Sequence, residues 1–184
     1  MATSMIEVFV AGLGIAQASS SPLLLLKERD GERVLPIGIG PLEAQAIAMP
    51  LQGVRPPRPM THDVFADVIA DLGGHLRRVE ITDLADNTFH ACLMVDQAGN
   101  EHTIDIRPSD AVALAVRTET PIYVEKAVFD QASIVATEAT EATGEPDFSG
   151  RKGEIDEYKL SPFKEFIDTL EIDDLGPAAG ENRD

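Results

Sequence analysis

Residues 104–116 read I-D-I-R-P-S-D-A-V-A-L-A-V. An alternation of branched apolar and polar residues ends at Ile106, and Pro108 stands where the first turn of a helix tolerates a missing N–H. The alanine-rich run that follows has helical spacing, so the stretch predicts a strand that runs directly into a helix. Asp105, Arg107, Ser109 and Asp110 surround that corner, and such a density of polar groups at a strand end marks a candidate site.

The corner has an earlier copy. Residues 37–49 read I-G-I-G-P-L-E-A-Q-A-I-A-M, so Pro41 matches Pro108, Glu43 matches Asp110, and Ala44, Ala46 and Ala48 match Ala111, Ala113 and Ala115. Holding that register, residues 22–26 fall on 89–93 and residues 7–13 fall roughly on 74–80. The pattern predicts an internal duplication whose unit is three strands and a helix. The expected fold class is α+β, a mixed or antiparallel sheet built from the duplicated unit and followed by a C-terminal amphipathic helix.

Strands are expected at residues 5–13, 22–27 and 34–39, with a hairpin at Arg29, Asp30 and Gly31, and a helix from Pro41 that Pro50 ends. A proline-rich linker, G-V-R-P-P-R-P at 53–59, carries Arg55 and Arg58 along an extended path. Thr61 is the expected N-cap of a second helix with Val64, Phe65, Val68, Ile69 and Leu72 on one face, which puts His62 and Asp63 in its first turn. The second strand set follows at 75–82, 88–95 and 102–106, then the helix of the opening stretch and a short strand at 121–124.

One domain is expected over 1–135, with an acidic flexible linker at 136–158, a helix at 159–175 and a disordered tail at 176–184. The helix is read from Ser161 and Pro162 as cap and first residue, with Phe163, Phe166, Ile167 and Leu170 at i, i+3, i+4 and i+7.

The net charge is −17, which works against a broad nucleic-acid-binding surface, because such surfaces displace phosphate counterions with basic side chains. Residues 1–135 hold 18 acids against 10 bases and residues 136–184 hold 14 against 5, so the acidity is concentrated after the domain and an arginine-lined site within it stays open. A high-salt cytoplasm is a second source of such acidity. The single Cys92 excludes a disulfide framework and a multi-cysteine zinc site. With no basic leader and no run of 18 apolar residues, a cytoplasmic protein without a membrane span is expected.

Glu43 and Asp110 occupy equivalent third positions of two helices, where an acid complements the helix dipole by roughly 0.3–1 kcal/mol. A structural role therefore stays open for both. Their company points further: Asp105 and Arg107 precede Asp110, and Arg58, His62 and Asp63 cluster at the mouth of another helix. Phosphodiester hydrolysis calls for carboxylates that hold a divalent cation, an imidazole that moves a proton and a cation that meets charge on phosphate oxygens. Walker, nucleophile-elbow and H-E-x-x-H patterns are missing from the sequence.

Four runs in order carry a family resemblance: L-P-I-G-I-G-P-L-E-A-Q-A-I-A at 35–48, P-P-R-P-M-T-H-D at 56–63, D-N-T-F-H-A-C-L at 86–93 and I-D-I-R-P-S-D-A-V-A-L-A at 104–115. Together they resemble the bifunctional nuclease family over about residues 5–135. The resemblance implies an α+β domain with nuclease activity on DNA and RNA. By position Glu43, Arg58, His62, Asp63, Asp105, Arg107, Ser109 and Asp110 match the family's motif residues, while Gly38 departs from a common Trp and Met60 from a usual Leu.

The expected function is metal-assisted cleavage of DNA or RNA. Asp105 and Asp110, with Glu43, would hold Mg²⁺ or Mn²⁺; His62, oriented by Asp63, would move the proton; Arg58 and Arg107, with Ser109 beside them, would bind the substrate phosphate. The alternative is a non-catalytic binding or regulatory module in which Arg107 and Asp110 merely lock the corner. A homodimer or higher homo-oligomer is the expected assembly.

Overall fold

In the computed structural model the described residues are 4–16 and 20–135. The linker, helix and tail expected after residue 135 lie outside them. Two antiparallel meanders form the frame. The first is β1 (Met5–Ala16), β2 (Ser21–Glu28) and β3 (Arg33–Gly38), followed by α1 (Pro41–Leu51). After α2 (Thr61–Asp71), the second is β4 (Gly74–Ala85), β5 (Thr88–Gln97) and β6 (Asn100–Ile106), followed by α3 (Pro108–Thr118). Then come β7 (Ile122–Glu125), α4 (Lys126–Ala132) and β8 (Ile134–Val135).

These strands make one mixed, mostly antiparallel sheet in the order β6-β5-β4-β7-β1-β2-β3-β8. β7 is the joint: it runs antiparallel to β1 and parallel to β4. The two meanders therefore point in opposite directions on either side of it, as an approximate two-fold would place them. The α+β class and the duplicated unit expected from sequence are what the chain adopts.

Alternation along the strands decides where the helices sit. Leu24, Leu26, Leu35 and Ile37 of the first meander and Val79, Ile81, Ala91 and Leu93 of the second share one buried cluster with Ala44, Ile47, Ala48, Ala111, Val112, Leu114, Val128 and Phe129. Helices and inward-facing strand residues thus form a single core on one face of the sheet. Alanines at i and i+4 on both helices, Ala44 with Ala48 and Ala111 with Ala115, are at most 2% exposed and keep the α1–α3 contact close. No helix among the described residues is long and apolar enough to cross a membrane.

Two helix ends differ from expectation. Pro50 does not end α1, which continues to Leu51. A proline at 50 leaves the carbonyl of Ala46, four residues earlier, without its helical N–H donor, and Arg117 Nη1 donates to that oxygen at 2.7 Å. α2 starts with Met60 as N-cap rather than Thr61, because the carboxylate of Asp63 reaches back and accepts the Met60 N–H at 2.7 Å.

Candidate functional site

Each β-to-α corner brings a helix N-terminus to a cleft of about 520 Å³ lined by both halves of the chain. Gly38, Gly40 and Glu43 come from the first corner, Arg107, Pro108 and Ser109 from the second, and Asn87 to Phe89 from the β4–β5 hairpin. Both helices open with proline behind an extended N-cap residue, Gly40 or Arg107, and neither end is capped by its N-cap side chain. Leaving first-turn N–H groups without such caps favours an anion nearby.

Arg107 joins the corners. Its Nε donates to Asp110 Oδ2 at 2.8 Å and its Nη1 to Glu43 Oε1 at 2.9 Å, while the side chain stays 66% exposed. Nη2 has no hydrogen-bond partner among the described residues. Asp110 uses its other oxygen on His62: Oδ1 lies 3.0 Å from Nε2, with both side chains largely buried. Burial would raise the Asp110 carboxyl, but hydrogen bonds from Arg107 and His62, reinforced by their charge, hold it below its ordinary value. The result is a chain of contacts, His62 to Asp110 to Arg107 to Glu43, reaching from α2 across the start of α3 to the start of α1.

The sequence-predicted residues divide accordingly. Glu43, His62, Arg107 and Asp110 come together, and Ser109, buried at 7% exposure, lines the cleft beside them. Asp63 does not orient His62. Its carboxylate is taken by the Met60 N–H and by Arg117 Nε at 2.5 Å, which hold it below its usual range against the opposing effect of burial.

Asp105 does not join the group. In the β5–β6 ladder Asp105 lies opposite Cys92, whereas Ile104 and Ile106 lie opposite Leu93 and Ala91, which pack under the helices. Paired residues share a face and successive ones alternate, so Asp105 points to the sheet face away from Asp110. Arg58 is exposed on the loop between α1 and α2, with no ion pair among the described residues.

The expected set of Asp105, Asp110 and Glu43 does not fit a divalent ion. One member faces away, and Arg107 occupies the space between the other two. Among the described residues, no three of His, Cys, Asp and Glu gather as a metal site. Arg117 is the residue that sequence reasoning missed. It is 10% exposed and straps α1, α2 and α3 together through Ala46, Asp63 and Ala113. The signal was Pro50, which implied an orphaned carbonyl and a donor elsewhere.

A duplicated α+β domain whose twin helix mouths share one arginine-bearing cleft is the class of protein defined here. The chain belongs to the bifunctional nuclease domain family, whose model matches residues 24–137. It is 45% identical to an uncharacterized protein of Mycobacterium tuberculosis over 92% of this chain and 97% of that protein. It is 30% identical to bifunctional nuclease 1 of Arabidopsis thaliana and 28% identical to bifunctional nuclease 2 of Oryza sativa subsp. japonica, over 57% and 64% of this chain. Those matches span 34% and 37% of the plant proteins.

Proposed function

We propose that this chain is a nuclease that hydrolyses phosphodiester bonds of DNA or RNA at the cleft between the two corners. The observation that carries the proposal is Asp110, which holds an imidazole with one oxygen and a cleft-lining guanidinium with the other. A phosphate in the cleft would accept from Arg107 Nη2 and from the open first-turn N–H groups of α1 and α3. With Nε2 of His62 held by Asp110, Nδ1 is the nitrogen left to exchange a proton with water or with the departing oxygen. Arg58, exposed four residues before His62, would add positive charge for the flanking backbone. Asp105 has no part in this scheme.

The test is cleavage of single-stranded DNA and of RNA by purified protein at low salt. Wild type, Asp110→Asn and His62→Ala are compared, each with Mg²⁺, with Mn²⁺ and with a chelator. Loss of the acid–base pair is expected to slow cleavage roughly 100-fold or more. Cleavage unchanged in both variants overturns the proposal.

A second reading is a non-catalytic module of the same fold, and one observation favours it. Two groups of Arg107 are already taken by carboxylates of its own chain, the arrangement expected of a lock. Calorimetric titration with a short oligonucleotide separates the readings, because a lock does not bind it.

A further inference from the structure

Beyond its arginine, the cleft has chemistry that phosphate alone does not need. Ile37, Ile39 and Phe89 supply an apolar wall continuous with the core. Next to Phe89 on the same hairpin, the β4–β5 turn is a two-residue loop, with Asp86 at φ 49° and Asn87 at φ 58° between the paired Ala85 and Thr88. Two successive left-handed residues make the tight primed turn whose twist matches that of the flanking strands, so Asn87 is held on a rigid hairpin at the cleft rim. Its amide can both donate and accept. Gly38 adds backbone to the lining, while a side chain at 38 would leave by the sheet face opposite Ile37 and Phe89, as that of Asp105 does.

We propose that this half of the cleft is a nucleoside subsite: one unstacked base lies against Phe89, with Asn87 at its edge, while its phosphate reaches Arg107. The proposal rests on the nuclease reading of the same cleft and deepens it by naming the substrate form. A base inside a duplex offers its faces only to its stacked neighbours, so contact with Phe89 requires an unpaired or extruded nucleotide. The substrate is therefore single-stranded nucleic acid or an unpaired loop, and the cleft volume lies in the range of small-molecule sites.

The experiment needs no turnover. Binding of thymidine 5′-monophosphate and of inorganic phosphate to the full chain is measured by calorimetry for wild type, Phe89→Leu and Asn87→Gly. Wild type is expected to bind the nucleotide about tenfold or more tightly than inorganic phosphate, since a base stacked on an aromatic ring contributes on that scale. Both variants are expected to lose that preference while retaining phosphate binding.

Asn87 is exposed and stands at a positive φ that glycine takes freely, so Asn87→Gly removes the amide, keeps the turn and keeps the test decisive should Phe89→Leu disturb the core. Equal affinity for nucleotide and phosphate in wild type, no binding of the nucleotide, or a preference that survives Asn87→Gly each overturns the subsite. Absence of cleavage by wild type, with the nucleotide preference intact, would remove the nuclease reading and leave the subsite standing.

Discussion

Replacing Arg117 by methionine keeps the apolar stem and removes the guanidinium that ties three helices together. Three contacts are lost, and they differ in weight. Ala113 O retains its own helical partner, so that loss costs little. Ala46 O cannot be served by Pro50, and a half-buried carbonyl left without a donor costs about 1 kcal/mol, the low end for an unsatisfied group. Asp63 is 33% exposed and keeps the Met60 N–H, so its pairing with Arg117 is discounted to about 1 kcal/mol. Arg117→Met should therefore destabilise the fold by about 2 kcal/mol in urea unfolding. The decisive measurement is a cycle with Pro50→Ala, which gives residue 50 an N–H for Ala46 O. That change should recover about 1 kcal/mol in the methionine background and little where Arg117 already serves the carbonyl. Because the effect of losing proline on the unfolded chain enters both arms, it cancels. Strict additivity of the two substitutions would refute the assignment of Arg117 to the orphaned carbonyl.

Asp63 and Asp110 both titrate below their ordinary values, so their contribution to stability is complete above about pH 3.9, the unfolded aspartate value, and is lost as pH falls from there through the lower folded values. Acid unfolding followed by circular dichroism should show that loss, and Asp110→Asn should make its share vanish. Burial first, then the nearby Glu80 carboxylate, pushes the Cys92 thiol up; native protein should react with a disulfide reagent far more slowly than urea-unfolded protein, and equal rates would show that the β5 ladder opens easily. Gly40→Ala should release Glu43 from Arg107, because the added Cβ would lie 2.2 Å from Glu43 Oε2. Inorganic phosphate binding should then strengthen, and weaker binding would mean that Glu43 positions the arginine instead of competing for it.

The fold was legible because its two signals are local. A proline at the first turn behind a branched strand marks a β-to-α corner wherever it stands, and repetition of the corner marked the duplication. The site was legible only in part, for a reason of parity. Asp105 and Asp110 are near in sequence, but one belongs to a strand of period two and the other to a helix folded back over the opposite face. Which strand residues face the helices is set by pairing with β5, and that pairing is not written in residues 104–110. The partner of His62 was equally hidden. Asp63 stands beside it in sequence, yet helix geometry turns that carboxylate back to Met60 and across to Arg117, leaving the imidazole to Asp110 forty-eight residues away.

Duplication by itself would build a symmetric hollow with matching groups at both mouths, and the departures from symmetry are where the chemistry concentrates. The counterpart of Arg107 in the first corner is Gly40, and that of Asp105 is Gly38, two positions before. Had the first corner kept an arginine at 40, a second guanidinium would compete for the same pair of acids and its stem would fill the space Glu43 now uses. With glycine there, Glu43 folds back over its own N-cap and faces the single arginine, so one cation serves acids from both copies. The segment between the copies breaks the symmetry again, since α2 supplies His62 to Asp110 and Glu43 has no matching imidazole. Only the second corner therefore couples an acid to a proton carrier. The first offers an acid folded over its own helix mouth, and this division of labour between equivalent corners turns a structural repeat into a cleft with two chemically different ends.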